Sequence, residues 1–114
     1  MQLFLEETDD GIRILKADGG INAQNSSQLV KDVLEAVEAG ADRIIVDCQD
    51  LEIISSSGLS TLLMLHTRIR TRGGHVKVAG IRHAVAQVLR LTRLDVVLEV
   101  YPDVNRAKLA FRDH

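Results

Sequence analysis

Near the middle of the chain, Arg43-Ile44-Ile45-Val46-Asp47-Cys48 places apolar, β-branched side chains on consecutive positions. A strand with one solvated face alternates apolar and polar residues. An unbroken run therefore reads as a strand covered on both faces, as in sheets whose parallel strands are joined by helices. This segment is expected at the centre of such a sheet, with covering helices supplied by the sequence on either side.

The flanks have the right periods. Leu29, Val30, Val33, Leu34 and Val37 recur at helical spacing, with Asn22 or Asn25 available as a cap and Gly40 where a helix ends in the left-handed conformation. Gln49 to Ser56 reads as a loop, after which Leu59, Leu62, Leu63, His66 and Ile69 form a helical stripe that stops at Gly73-Gly74. His75-Val76-Lys77-Val78-Ala79 is a strand, and Ile81 to Arg93 carries Val85, Val88 and Leu89 at helical spacing. Val96-Val97-Leu98-Glu99-Val100 reads as a last strand, and Pro102-Asp103 opens a terminal helix. At the start, Leu3 to Glu7 and Ile12 to Lys16 flank the turn formers Thr8-Asp9-Asp10-Gly11, the pattern of a hairpin, and Ala17-Asp18-Gly19-Gly20 breaks it. The order is β-β-α-β-α-β-α-β-α. This predicts one α/β domain over residues 1–114, an N-terminal β-hairpin followed by alternating strands and helices, with a mixed sheet and helices packed on it. The segments that follow the central strands then lie along one edge, so the stretch after Cys48 is the first place to seek a site.

Composition narrows the function. The 114 residues are 46% apolar and 26% charged with one proline, which suits a folded core. Two Phe, one Tyr and no Trp leave the core to Leu, Ile, Val and Ala and provide no base-stacking platform. The net charge of −2 gives no electrostatic reason to approach nucleic acid or an anionic membrane. Arg68, Arg70 and Arg72 are explained as a solvated helix end, where the dipole favours cations. Cys48 is the only cysteine, so no internal disulfide forms, and no Cys/His spacing implies a metal or other cofactor. The N-terminus turns acidic after a few residues, unlike a secretion signal, and no run approaches the roughly 20 apolar residues that span a bilayer. A cytoplasmic protein without membrane insertion is expected.

The residues with most to say are Ser55-Ser56-Ser57-Gly58-Leu59, where a helix begins. A serine cap is worth about 1 kcal/mol and accounts for one of the three hydroxyls. A phosphate on another would set roughly −1.5 to −2 charges against the positive end of the helix dipole, which the fold can accept without local unfolding.

At this point the chain resembles the STAS domain family, and within it the bacterial anti-sigma-factor antagonists. The resemblance rests on Ile44-Ile45-Val46-Asp47-Cys48-Gln49-Asp50-Leu51 followed by Ile53-Ile54-Ser55-Ser56-Ser57-Gly58-Leu59, on Gly73-Gly74 before a Val-rich strand, and on Ala17-Asp18-Gly19-Gly20-Ile21-Asn22. The family shows an apolar strand, an Asp-Leu pair, then an Asp-Ser-Ser/Thr-Gly-Leu signature, with a Gly-Glu-Leu-Asp segment earlier. The resemblance implies a non-enzymatic protein that binds an anti-sigma factor with serine kinase activity. Phosphorylation of the serine after the signature aspartate would release that partner. Aligned on Gly58, this serine is Ser56, and Ser55, Ser56, Ser57, Gly58, Leu59 and Asn22 make up the implied partner-binding site. The chain departs from the pattern at Ser55, where the family has aspartate, and at Gly20 and Asn22, where it has Glu and Asp. These losses leave open a non-phosphorylated STAS scaffold or a regulatory subunit of a larger complex.

Other chemistries fit less well. A serine nucleophile needs a positioned histidine base, yet the Gly-x-Ser-x-Gly elbow is missing and His66, His75, His83 and His114 are scattered. A phosphoaspartate receiver would use Asp47, but Asp9-Asp10 lies in a hairpin turn and not at a neighbouring strand end. Gly19-Gly20 with the helix starting near Ser57 suggests at most weak nucleotide binding, because the spacing matches neither phosphate-loop fingerprint.

Overall fold

The computed structural model describes residues 2–8, 10–21 and 26–112. Strand β1 (Gln2–Glu7) turns back antiparallel onto β2 (Arg13–Ile21), and α1 (Ser26–Glu38) leads to β3 (Arg43–Ile54). Then come α2 (Ser56–Thr71), β4 (His75–Ala79), α3 (His83–Leu91), the single turn α4 (Leu94–Val97), β5 (Glu99–Tyr101) and α5 (Val104–Arg112). The five strands lie in the order β1-β2-β3-β4-β5, with β2 to β5 parallel, so β3 is the middle strand as its unalternating sequence requires.

Strand order that advances steadily with right-handed crossovers puts every connecting helix on one face. Leu29 and Val33 of α1, Leu62, Leu65 and Ile69 of α2, and Val85 and Leu89 of α3 accordingly share one core with Leu15, Ile44, Val46 and Val78. The opposite face is left to α5, whose Ala107 and Phe111 cover Ile12, Ile14, Ile45 and Ala79. Ile44 and Val46 thus face one core and Ile45 the other, which is why this strand does not alternate.

Lys77, 3% exposed, points into the α5 side. Its Nζ donates to Glu99 Oε2 at 2.8 Å and to Tyr101 Oη at 3.2 Å, and lies 4.7 Å from the centre of the Phe111 ring. Burial alone would lower the Lys77 pKa, but the bonds to Glu99 and Tyr101 outweigh it and raise the value. Glu99 is pushed up by its partial burial and held down by more through Lys77, so its pKa falls. The lysine's share of stability is complete below its unfolded pKa of about 10.4 and is lost as pH rises through the higher folded value. The glutamate's share is present above about 4.3 and is lost as pH falls through the lower folded value. At neutral pH both are in force. Glu99→Ala is expected to cost about 1–3 kcal/mol in urea denaturation at pH 7, because the buried ammonium loses its counter-charge. A cost indistinguishable from zero would show that Tyr101 and the rings suffice.

Four sequence expectations are corrected. Gln49 to Ile54 is not a loop but the second half of β3, and Ala17-Asp18-Gly19-Gly20 does not end β2. The two extensions pair with each other across two register shifts, Asp18 with Asp50, Gly19 with Leu51 and Ile21 with Ile54. Each therefore satisfies the backbone of the other despite polar side chains. On α2 the buried stripe includes Leu65, and Leu63 is 37% exposed. Finally, the expected strand from Val96 begins only at Glu99. Arg93 adopts a left-handed conformation (φ 61°), and a helical turn closed by the Leu98 amide on the Leu94 carbonyl at 2.8 Å precedes it. Burying both Leu94 and Leu98 against the first core favours the turn over extension. The expected helix start between Asn22 and Asn25 falls outside the described residues.

Candidate functional site

Strand β3 ends at Ile54 and α2 starts at Ser56, so one residue makes the junction. Ser55 is extended (φ −84°, ψ 170°), and its Oγ accepts the Gly58 amide at 3.1 Å while its carbonyl accepts the Leu59 amide at 3.0 Å. That is an N-cap, and it satisfies donors the first helical turn would otherwise leave unpaired. The capping role thus belongs to Ser55, and Ser56 occupies the first helical position with its side chain exposed.

Gly58 is buried against the body of the domain, and Leu59 is half-buried and packs on the first core. These two seat the helix, leaving Ser55 and Ser56 outward. The pairing of Ile21 with Ile54 brings the end of β2 beside the residue before Ser55. Asn22 itself, and the side chain of Ser57, lie outside the described part of the structure. Ser60, one turn beyond Ser56, is also exposed, a residue the sequence analysis passed over although its i, i+4 spacing places it on the same face. Farther along, α1 and α2 flank a shallow groove of about 250 Å³ bordered by Val30, Thr61, Met64 and Arg68.

The electrostatics favour an anion at the head of α2. No carboxylate sits in the first turn, while Arg68 and Arg70 occupy the last. The dipole of the 16-residue helix sets the equivalent of roughly half a positive charge at its N-terminus, where Ser56 stands. Nearby, Arg82 at the head of α3 donates through Nε to the Gln49 carbonyl at 2.8 Å, tying that helix to β3.

The residues weighed for other chemistries are dispersed. Asp47 is buried in β3, with Oδ1 accepting the Gln49 amide at 3.0 Å. Burial, reinforced by the Asp47 charge, pushes the Cys48 thiol up to about 12, which makes it inert as a nucleophile. His66 lies ten residues along α2 from Ser56, roughly 15 Å at helical rise. His75 begins β4, with Nδ1 3.2 Å from the Arg70 guanidinium. Gly19 and Gly20 lie within β2, so they form no phosphate-cradling loop ahead of a helix. Among the described residues no cluster of three His, Cys, Asp or Glu side chains could hold a metal ion, and no helix is long and apolar enough to cross a membrane.

The STAS domain family model aligns with residues 5–107, a span that includes β3, the Ser55 junction and α2. The chain belongs to the STAS domain family. This STAS domain is 26% identical over 110 residues to BtrV of Bordetella bronchiseptica, described as a candidate anti-sigma factor antagonist. The match covers 96% of this chain and 91% of that protein. It is 24% identical over 103 residues to the anti-sigma F factor antagonist of Paenibacillus polymyxa, covering 89% and 88% of the two chains. The crystal structure of TM1081 from Thermotoga maritima, also described as a candidate anti-sigma factor antagonist, superposes with a TM-score of 0.89 at 25% identity. That superposition covers 96% of this STAS domain and 94% of TM1081.

Proposed function

We propose that this STAS domain is an anti-sigma factor antagonist: it binds an anti-sigma factor through the head and exposed face of α2, and phosphorylation of Ser56 ends the binding. The observation that carries this reading is the division of labour at the junction. Ser55 caps the helix, which leaves Ser56 exposed at the first helical position without a structural duty. A dianion there meets the helix dipole, so the domain stays folded, while the contact surface changes from a neutral hydroxyl to about −2. Relatives named as antagonists of anti-sigma factors support the choice of partner. The partner is proposed to carry the serine kinase activity, the STAS domain itself catalysing nothing, and both to work in the cytoplasm.

A second reading draws on the missing carboxylates. Ser55 stands where the resemblance has aspartate, and no acidic residue occupies the first turn of α2. A scaffold that binds constitutively through the same surface would be free to lose them.

One experiment separates the two. Incubation with the anti-sigma kinase of the same genome and ATP, followed by intact-mass measurement, is expected to add one phosphate that disappears in Ser56→Ala. No added mass, with the complex still forming, would replace the switch with the scaffold.

A further inference from the structure

Ser56, Ser60, Met64 and Arg68 stand one turn apart on α2 and form a single row. At 3.6 residues per turn each step of four rotates the row by about 40°, so it starts on the exposed head of the helix and ends beside α1. There Met64 and Arg68 border, with Ser27, Val30 and Thr61, the groove of about 250 Å³ between the two helices. Ser56 and Ser60 are exposed and Met64 and Val30 half-buried, so the outward face of α2 leads directly into this groove.

The charge on this border has one sign. Arg68 is its only charged residue, and among the described residues no hydrogen bond or ion pair engages it. Its neighbours differ: Arg70 Nη1 lies 3.2 Å from His75 Nδ1, and Arg72 Nη1 lies 3.9 Å from Glu38 Oε1. The other carboxylates of α1 turn away, since Asp32 and Glu35 lie about 140–160° around that helix from Val30, and Asp32 accepts from Gln28. The groove therefore offers a guanidinium without a counter-charge beside two apolar side chains. A carboxylate next to an apolar group is what complements it. We infer that the anti-sigma factor contact continues from Ser56 along this row into the α1–α2 groove, where Arg68 receives a carboxylate of the partner and Met64 and Val30 cover the apolar side chain next to it. This rests on the partner proposed above and adds the chemistry of its surface, acidic and apolar together. Ser56 and Arg68 are twelve residues apart, about 18 Å along the helix, which exceeds the screening length of about 10 Å at 0.1 M salt. The two positions therefore act on the complex independently.

The test titrates the labelled anti-sigma factor of the same genome with the full chain, by fluorescence anisotropy at roughly 0.1 M salt. Arg68→Glu is expected to weaken the complex at least about tenfold, Arg68→Gln less and Arg68→Lys least, with the thermal midpoint unchanged because Arg68 has no partner within the described domain. Met64→Gln should weaken it about threefold or more, and Ser56→Glu combined with Arg68→Glu should multiply their separate effects. A complex that responds to Ser56→Glu but ignores Arg68→Glu and Met64→Gln would overturn the groove contact and leave the Ser56 reading standing. Tighter binding in Arg68→Glu would overturn it as well, by revealing a basic partner surface. A wild-type chain that forms no complex would sink both. A wild-type dimer dissociated by Arg68→Glu, or binding to phosphatidylserine vesicles that the same substitution removes, would overturn the assignment in favour of a second copy or a lipid surface.

Discussion

Leu65→Ala is expected to destabilise the domain by about 2–5 kcal/mol and to lower its thermal midpoint by roughly 10–20 °C. Leu65 is fully buried in the core shared by α1, α2, α3 and the sheet, so truncation removes its transfer free energy and leaves a cavity that surrounding strands can only partly close. Leu63, two positions earlier on the same helix, is 37% exposed, and Leu63→Ala should move stability by no more than about 0.5 kcal/mol. Paired chemical denaturation of the two variants gives the comparison. Equal losses would mean that α2 packs in a different rotation, with its exposed face, and the Ser56 site on it, turned elsewhere.

The second large effect is on binding. Ser56→Glu should leave the denaturation midpoint within about 0.5 kcal/mol of wild type and weaken the anti-sigma factor complex by about 2 kcal/mol or more, at least 30-fold in Kd. The charge is tolerated because it sits at the start of α2 on an exposed side chain, with the cap supplied by Ser55. The proposed binding should not tolerate it, because a carboxylate forced into a contact face must be desolvated and meets whatever anions the partner places there. Isothermal titration of wild type, Ser56→Glu and the neutral Ser56→Gln separates charge from bulk. If glutamine weakens the complex as much as glutamate does, shape and not charge decides, and the phosphorylation switch loses its physical basis.

Charge also ties the first hairpin to the last helix. Asp10, in the turn between β1 and β2, accepts from Arg112 Nε at 2.6 Å and from Nη2 at 3.2 Å, and its main-chain oxygen accepts from Arg43. The Arg112 bond, helped by Thr8, holds the Asp10 carboxyl well below the usual range. Its contribution is therefore present above an unfolded pKa of about 3.9 and is lost only as pH falls through the lower folded value. Residues 102 apart in sequence are joined there, so the last turn of α5 secures the first hairpin.

Periodicity carries information wherever burial is two-sided or one-sided in a simple way. The run Ile44-Ile45-Val46 announced a strand with cores above and below, and Gly40, with φ 107°, marks the end of α1 as its glycine foretold. The triple serine likewise located the head of α2, because hydroxyls before a helical stripe have a local, chain-encoded reason to be there. Other features depend on partners distant in sequence. Gln49 and Asp50 have no strand preference of their own: Asp50 is extended because β2 runs alongside and pairs it with Asp18, while the backbone of Gln49 is satisfied by Asp47 Oδ1 and by Arg82 from the head of α3. Val96 and Val97 favour a strand locally, and they form a turn because Leu94 and Leu98 must both reach a core built by other segments. Which serine caps and which stays exposed is settled by where β3 stops, and β3 stops where Ile54 pairs with Ile21. Local preference is thus written into short windows of this chain. The choice between preferences of similar strength falls to contacts that exist only after the sheet has closed.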